Sequence, residues 1–248
     1  MSILAVRELS KGFGGVRAVA GVSFALAAGE LLAMIGPNGA GKTTCFNLIN
    51  GQLRPDAGEI FFEEREIQGL APRQRCRLGI GRTFQVAATF GSMTARENVQ
   101  VALLSHARRL GSVFSSFSRS EEAMQLLEKT GMKSLADRQC AELAYGDLKR
   151  VELAVALAAR PRLLLMDEPT AGMAPAERHA LMDLVRGISK EQNLSVLFTE
   201  HDMDVVFGYA DRVIVLAEGE LIAQGAPAEV RADARVRRVY LGEAAAHA

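Results

Sequence analysis

The sequence is poor in several features, and each shortage excludes a class of protein. It has no charge surplus, because 29 Lys and Arg balance 29 Asp and Glu. A duplex-binding protein carries a basic surplus or stripe to displace counterions, so nucleic acid is not an expected partner. It has only three cysteines, Cys45, Cys76 and Cys140, with no C-x-x-C pair. An odd, scattered set reads as reduced thiols of a cytosolic protein, not as a disulfide framework or a zinc site. No apolar run reaches membrane-spanning length. The best candidate, residues 151–169, is broken by Glu152, Arg160, Pro161 and Arg162. Near the N-terminus, Glu8 and Lys11 interrupt the chain before a secretory apolar core can form. The expectation is a chain that does not span a bilayer and meets a membrane only through a partner. No internal repeat is apparent.

What is present is an ordinary globular composition, with 49% hydrophobic and 23% charged residues over 248 positions. That length suits a single large α/β domain. Residues 4–9 and 21–30 read as strands around a GFGG turn region. Residues 30–36 form a continuous apolar run ending in Gly36, as a buried strand does. Residues 42–51 have helical spacing, with Cys45, Leu48 and Ile49 as core candidates and Gly51 as C-cap. Residues 54–62 read as a turn and a strand.

From about 92 to 159 the pattern is helical, with no convincing strand. The Ser-rich stretch 111–123 reads as a loop giving way to a helix at Ser120, with Glu121 and Glu122 in its first turn. Strands and helices then alternate again: strand 162–169, amphipathic helix 177–191, strand 194–201, and a hairpin over 212–225 turning at Glu218 and Gly219. Parallel strands joined by helices predict an α/β core with a helical insertion.

The strongest local signal is Gly36-Pro37-Asn38-Gly39-Ala40-Gly41-Lys42-Thr43-Thr44. It fits G-x-x-x-x-G-K-[ST] and stands between an apolar strand and a helix. The glycines let backbone N–H groups converge on phosphate oxygens, and the helix N-terminus adds a positive dipole end. Lys42 is expected to reach the β- and γ-phosphates of ATP and the Thr43 hydroxyl to hold Mg²⁺. The second signal is Leu163-Leu164-Leu165-Met166-Asp167-Glu168-Pro169, a buried strand with two carboxylates at its carboxyl end, where open α/β sheets bind ligands. Asp167 fits the metal-holding role and Glu168 the general base that polarises water. Taken singly the pair reads equally well as surface acids, and the neighbouring phosphate loop decides for chemistry. Gln85, after the probable strand GIGRTF, and His201, after LSVLFTE, are weaker; a lone His or Gln at a strand end is usually structural.

In this order the motifs resemble the ATP-binding-cassette family of transporter ATPases, over essentially the whole chain. The resemblance implies a P-loop NTPase core with an N-terminal antiparallel β subdomain and an inserted helical subdomain. It implies one domain over 1–248: core about 1–91 and 160–240, helical insertion about 92–159, short tail 241–248. It places Phe13 where an aromatic stacks on adenine and Gln85 where a glutamine senses metal and γ-phosphate. Leu143-Ala144-Tyr145-Gly146-Asp147 falls at the signature, Ala171-Gly172-Met173-Ala174 at the dimer-contact loop, and His201 at the switch histidine. IGRTFQ, TARENV, TAGM, TEHDM and the tail VRRVYLGE are similar to branched-chain amino acid importers. Urea importers and the lipopolysaccharide exporter are near relatives.

The resemblance further implies two cassettes paired head to tail, each ATP lying between one chain's phosphate loop and the other's signature. The expected partners are membrane permease subunits, a second cassette ATPase (a hetero-dimer is favoured) and, indirectly, a periplasmic solute-binding protein. The expected location is the cytoplasmic face of the inner membrane, with residues 90–104 as the surface toward the permease. The signature departs from the family's Leu-Ser-Gly-Gly-Gln: Ala144 lacks a hydroxyl, Tyr145 replaces the first Gly, and Asp147 adds a negative charge. A soluble cassette ATPase is disfavoured by the single phosphate loop and the lack of a heptad run. A non-catalytic scaffold is disfavoured by Lys42, Thr43, Asp167, Glu168 and His201.

Overall fold

The alternating N-terminal residues form a hairpin. In the computed structural model, which describes residues 2–83, 89–106 and 114–246, β1 (Ser2–Phe13) pairs antiparallel with β2 (Val16–Ala27) across Gly14 and Gly15. Phe13 therefore belongs to the strand end, and the turn is shorter than the GFGG reading. After β3 (Leu31–Ile35) and α1 (Lys42–Asn50), β4 (Ala57–Phe62) joins β1 on its other edge, followed by the short β5 (Arg65–Glu66). These make a four-stranded antiparallel sheet in the order β2-β1-β4-β5.

The second sheet explains the continuous apolar runs. Beyond α2 (Pro72–Leu78) and β6 (Ile80–Thr83), the chain enters α3 (Ala95–His106), α4 (Phe114–Lys129) and α5 (Tyr145–Leu157). It returns through β7 (Leu163–Asp167), α6 (Pro175–Gln192), β8 (Ser195–Thr199), α7 (Met203–Tyr209), β9 (Arg212–Ala217) and β10 (Glu220–Gly225). It ends in α8 (Pro227–Ala232) and α9 (Ala234–Ala246). The sheet order is β10-β9-β3-β8-β7-β6, parallel except for β10. Successive side chains point to opposite faces, and here both faces are covered. Leu31, Ala33 and Ile35 of β3 join one apolar core, with α5, α6 and α7; Leu32 and Met34 join another, with α1 and the antiparallel sheet. The strands β7, β8 and β9 divide in the same way. A strand buried on both faces has no polar alternation to show.

A third core serves the helical stretch, uniting Val99 and Leu103 of α3, Leu127 of α4 and Val151, Ala154 of α5. α5 belongs to two cores, since Leu153, Ala156 and Leu157 face the sheet. α4 begins at Phe114, not at Ser120 as the Ser-rich composition suggested. Serine is only a mediocre helix former, not a breaker, and tertiary ties override it. One such tie is Arg119 Nη1, which donates to the Leu103 carbonyl of α3 at 2.8 Å. α9 runs through Ala246.

Helix starts reuse one device. Ala71-Pro72, Ala174-Pro175 and Ala226-Pro227 open α2, α6 and α8, each with Pro at the first helical position. Gln74, Glu177 and Glu229 reach back to the Ala backbone N–H at 2.9, 3.1 and 2.8 Å. α3 uses the full reciprocal cap: Glu97 accepts from the Thr94 N–H at 2.8 Å, while Thr94 Oγ1 accepts from the Glu97 N–H at 3.1 Å. The TARENV motif thus has a local structural purpose.

Candidate active site

The site gathers at the carboxyl ends of β3, β7 and β8. Gly36 leaves β3 with φ 152°, and a Cβ there would stand 2.1 Å from the Leu216 carbonyl oxygen of β9. Gly41, at φ 99°, closes the loop just as tightly against the Ala18 carbonyl of β2. Only glycine fits either place, so the loop is wedged between β2 and β9. α1 then starts at Lys42, its first N–H groups lacking intrahelical acceptors and its positive dipole end facing outward. The Lys42 ammonium lies 2.5 Å from the Gly36 carbonyl and 2.9 Å from that of Pro37, folded over the loop. Thr43 is exposed beside it.

The carboxylates are held by the register between β7 and β8. Asp167 pairs with Thr199, and Thr199 Oγ1 donates to Asp167 Oδ1 at 2.8 Å. Arg82 of β6 approaches the other oxygen, with Nη2 3.3 Å from Oδ2. Glu168 leaves the strand in the left-handed region at φ 48°, unusual for a non-glycine residue. Its N–H donates to Thr199 Oγ1 at 3.0 Å, and its Oε1 lies 2.8 Å from His201 Nε2. Buried Glu200 accepts from the Thr170 N–H and hydroxyl at 2.8 and 2.7 Å, clamping the loops after β7 and β8 together.

A cleft of about 180 Å³ results, lined by Ala18, Asn38 to Thr44, Glu168 and His201. It combines a nest of backbone N–H groups, one ammonium and one carboxylate with an imidazole against it. Such a surface accepts a polyanion and presents a base beside it.

The chain matches the family described as ABC transporter over residues 19–171, and the Branched-chain amino acid ATP-binding cassette transporter family over residues 220–246. It is 40% identical to the high-affinity branched-chain amino acid transport ATP-binding protein LivG of Salmonella typhimurium, covering 98% of each chain. It is 41% identical to BraF of Pseudomonas aeruginosa, which carries the same description, again over 98% of each. Its fold superposes on the ADP conformation of MJ1267, an ATP-binding cassette of an ABC transporter, with a TM-score of 0.87. That pair is 33% identical, over 98% of this chain and 99% of the other. This chain belongs to the ABC transporter family. As such it is a nucleotide-binding ATPase.

In this cassette Lys42, Thr43, Thr44, Glu168 and His201 meet in the cleft, while Asp167 lies behind Glu168 on the strand. Ala144, Tyr145 and Gly146 do not line it. Ala144 precedes α5, and Gly146 abuts the α6 start, where an added Cβ would meet Glu177 Oε1 at 3.0 Å. Tyr145 packs against Gly172 of the Ala171-Gly172-Met173-Ala174 loop and lies under the Lys149 ammonium, 5.5 Å from its ring centre. Phe13 is 48% exposed at the end of β1, outside the cleft lining. Gln85 lies outside the described residues.

Sequence reading missed Thr199, Arg82 and Glu200. Their only sequence signal is a polar residue ending an apolar strand, and their contacts depend on strand register. It also missed Arg75, which is fully buried. Arg75 Nη1 donates to the Leu48 and Ile49 carbonyls at 2.6 Å each; Nε reaches Leu70 O at 2.9 Å and Nη2 reaches Gln68 O at 3.1 Å. It thereby meets two of the last carbonyls of the phosphate-loop helix. Burial lowers its pKa to about 10, which leaves it charged at neutral pH. Cys45 on the same helix is the opposite case: burial raises its thiol to about 12, so it is inert packing.

Proposed function

We propose that this chain is the ATP-hydrolysing subunit of an importer for branched-chain amino acids. Its expected place is the cytoplasmic face of the inner membrane, held there by permease subunits, with a periplasmic solute-binding protein delivering cargo. Two cassettes pair head to tail, and a hetero-dimer is the favoured pair. The observation that carries the ATPase reading is the Glu168–His201 contact at 2.8 Å beside the phosphate loop. The import reading draws support from the C-terminal family match and from the relatives named above.

Each residue then has a task. The backbone N–H groups of Asn38, Gly39 and Gly41, with those of Lys42, Thr43 and Thr44 at the helix start, offer the nest for phosphate oxygens, while Gly36, Pro37 and Ala40 shape the loop. Lys42 turns from its loop carbonyls toward the β- and γ-phosphates. Glu168 takes a proton from the attacking water, and His201 orients that carboxylate from its other side. Thr43 and Asp167 fit a divalent cation, and Gln85 is assigned to sense it. Their donors are hard oxygens, and among the described residues no group of three or more His, Cys, Asp or Glu forms a closed cage. That suits magnesium, which keeps waters and takes further ligands from phosphate. When bound, Mg²⁺ neutralises charge on the β- and γ-phosphate oxygens. Phe13 is assigned to adenine stacking. Ala144, Tyr145 and Gly146 are assigned to the γ-phosphate held by the partner cassette.

The test is uptake of labelled leucine, isoleucine and valine by cells lacking this chain, restored with wild type or with Glu168→Gln. Wild type should restore uptake and the variant should not. Restored uptake of urea instead, with leucine unchanged, would replace the cargo and leave the ATPase reading standing.

A further inference from the structure

Arg82 is drawn into the metal-binding side of the site by geometry that the catalytic scheme above does not use. It stands on β6 opposite Leu165 and shares a sheet face with Asp167 and Thr199. Its Nη2 lies 3.3 Å from Asp167 Oδ2, and the two side chains are only 10% and 5% exposed. Its Nη1 donates to Asn47 Oδ1 on α1 at 2.8 Å and to Gln52 Oε1 just past α1 at 3.0 Å. Since Thr199 holds Oδ1, both Asp167 oxygens have a donor. The guanidinium therefore bridges the phosphate-loop helix, the Asp167 carboxylate and the strand that leads toward Gln85.

We propose that Arg82 is a positioning residue that holds Asp167 Oδ2 until nucleotide arrives and competes with the divalent cation for that oxygen. This rests on the metal-holding reading of Asp167. Two cations beside one carboxylate oxygen repel each other, and the repulsion is weakly screened in a nearly dry setting. Asn47 and Gln52 keep the guanidinium anchored when it yields Oδ2, so it is displaced a short way and not expelled. A guanidinium keeps its charge when it yields Oδ2, so Arg82 continues to oppose the cation. The effect is a threshold: metal-loaded nucleotide must supply enough binding energy to loosen a buried ion pair. The displacement is felt on β6, two residues before the segment that carries Gln85.

The experiment measures binding of a fluorescent, non-hydrolysable ATP analogue to the full-length chain, first in EDTA and then along a Mg²⁺ titration. Wild type is compared with Arg82→Gln, Arg82→Lys and Asp167→Asn, each checked by thermal unfolding. Arg82→Gln should lower the half-saturating Mg²⁺ concentration at least threefold and leave affinity in EDTA within twofold. Arg82→Lys keeps the charge and should stay within twofold of wild type throughout. Asp167→Asn should raise the Mg²⁺ requirement at least tenfold. If Asp167→Asn responds but Arg82→Gln has an unchanged or higher Mg²⁺ midpoint, Arg82 is only a structural tie and the proposal is wrong. If Asp167→Asn does not respond, the metal-holding reading itself is wrong. Should Arg82→Gln melt early, Arg82→Met keeps the stem packing, and the same threefold shift decides.

Discussion

The phosphate loop is framed by strand ends: β3 delivers it, β2 and β9 wedge its glycines, and β7 and β8 bring Glu168 and His201 to its rim. The signature opens a helix instead. α5 is shared between the sheet core, through Leu153 and Leu157, and the helical core, through Val151 and Ala154. Its first residues touch Gly172 and Glu177, not the cleft. On the reading proposed above, the first region grasps phosphate and places a base, and the second presents its residues away from that cleft. If the helix end serves a partner cassette's nucleotide, as proposed, the sheet end of this chain should tolerate change far less than the helix end.

Lys42→Ala should be the most damaging change. It removes the cation expected at the β- and γ-phosphates and strips two loop carbonyls of their donor. Tight nucleotide binding and turnover should both vanish while thermal unfolding stays cooperative. Near-wild-type phosphate release from a clean preparation would remove the loop from the mechanism. Glu168→Gln comes next. The amide can still meet His201 but cannot take a proton, so hydrolysis should fall by about 10² to 10⁴ with binding intact. Size-exclusion chromatography in Mg-ATP should then show an accumulated closed dimer. Unchanged turnover would take the base role from Glu168.

Arg75→Met probes the far end of the same helix. It leaves four carbonyls without their charged donor, and the loss should be about 3 kcal/mol, since bonds to charged groups count for more than neutral ones. In a chain of this size that is roughly a 10 °C drop in melting temperature. A drop under roughly 2 °C would show that water replaces the guanidinium. Phe13→Ala should weaken nucleotide affinity by roughly 1–3 kcal/mol, if base–aromatic stacking is the guide, with less change at saturating ATP. Unchanged affinity would place adenine elsewhere.

The sheet end was legible in the sequence because its signals are local. Five apolar residues and a glycine announce β3 and its loop, and Leu163 to Glu168 announce a strand with acids at its tip. Both follow from burial on two faces. The residues that hold those acids were not legible. Thr199 stands opposite Asp167, and Arg82 stands opposite Leu165 on the same sheet face, and register is invisible until strands are paired. Arg75 was hidden for a similar reason, since its acceptors are backbone carbonyls that any residues could supply. In the helical stretch the element type is readable and the α4 start is not, because packing against α3 decides it and serine content does not. The likeness of Ala144 to Asp147 to a signature came from motif order alone, and nothing local marks those residues as functional.

Asp147 gives the smallest and most discriminating test of the contrast between the two ends. It sits in the first turn of α5, where the helix dipole favours a negative charge whether that charge belongs to the side chain or to an incoming phosphate. Ala144, before the helix, has no hydroxyl to offer. In paired cassettes a homodimer would present this altered signature to both nucleotides, and a hetero-dimer to only one. The isolated chain should therefore show weak ATPase activity that rises with its natural partners. Asp147→Gln removes one negative charge, adds one methylene and puts the family's usual Gln at that place, and should raise the activity of the isolated chain. The gain should be about 0.3–1 kcal/mol, the usual worth of a partly exposed charge near a helix start. Steady-state phosphate release at two salt concentrations checks this, because screening should shrink the difference at high salt. If the variant is neutral or harmful at both salts, Asp147 faces away from the nucleotide and serves only as a favourable first-turn residue. The weak activity would then trace to the missing Ala144 hydroxyl, which Ala144→Ser should restore.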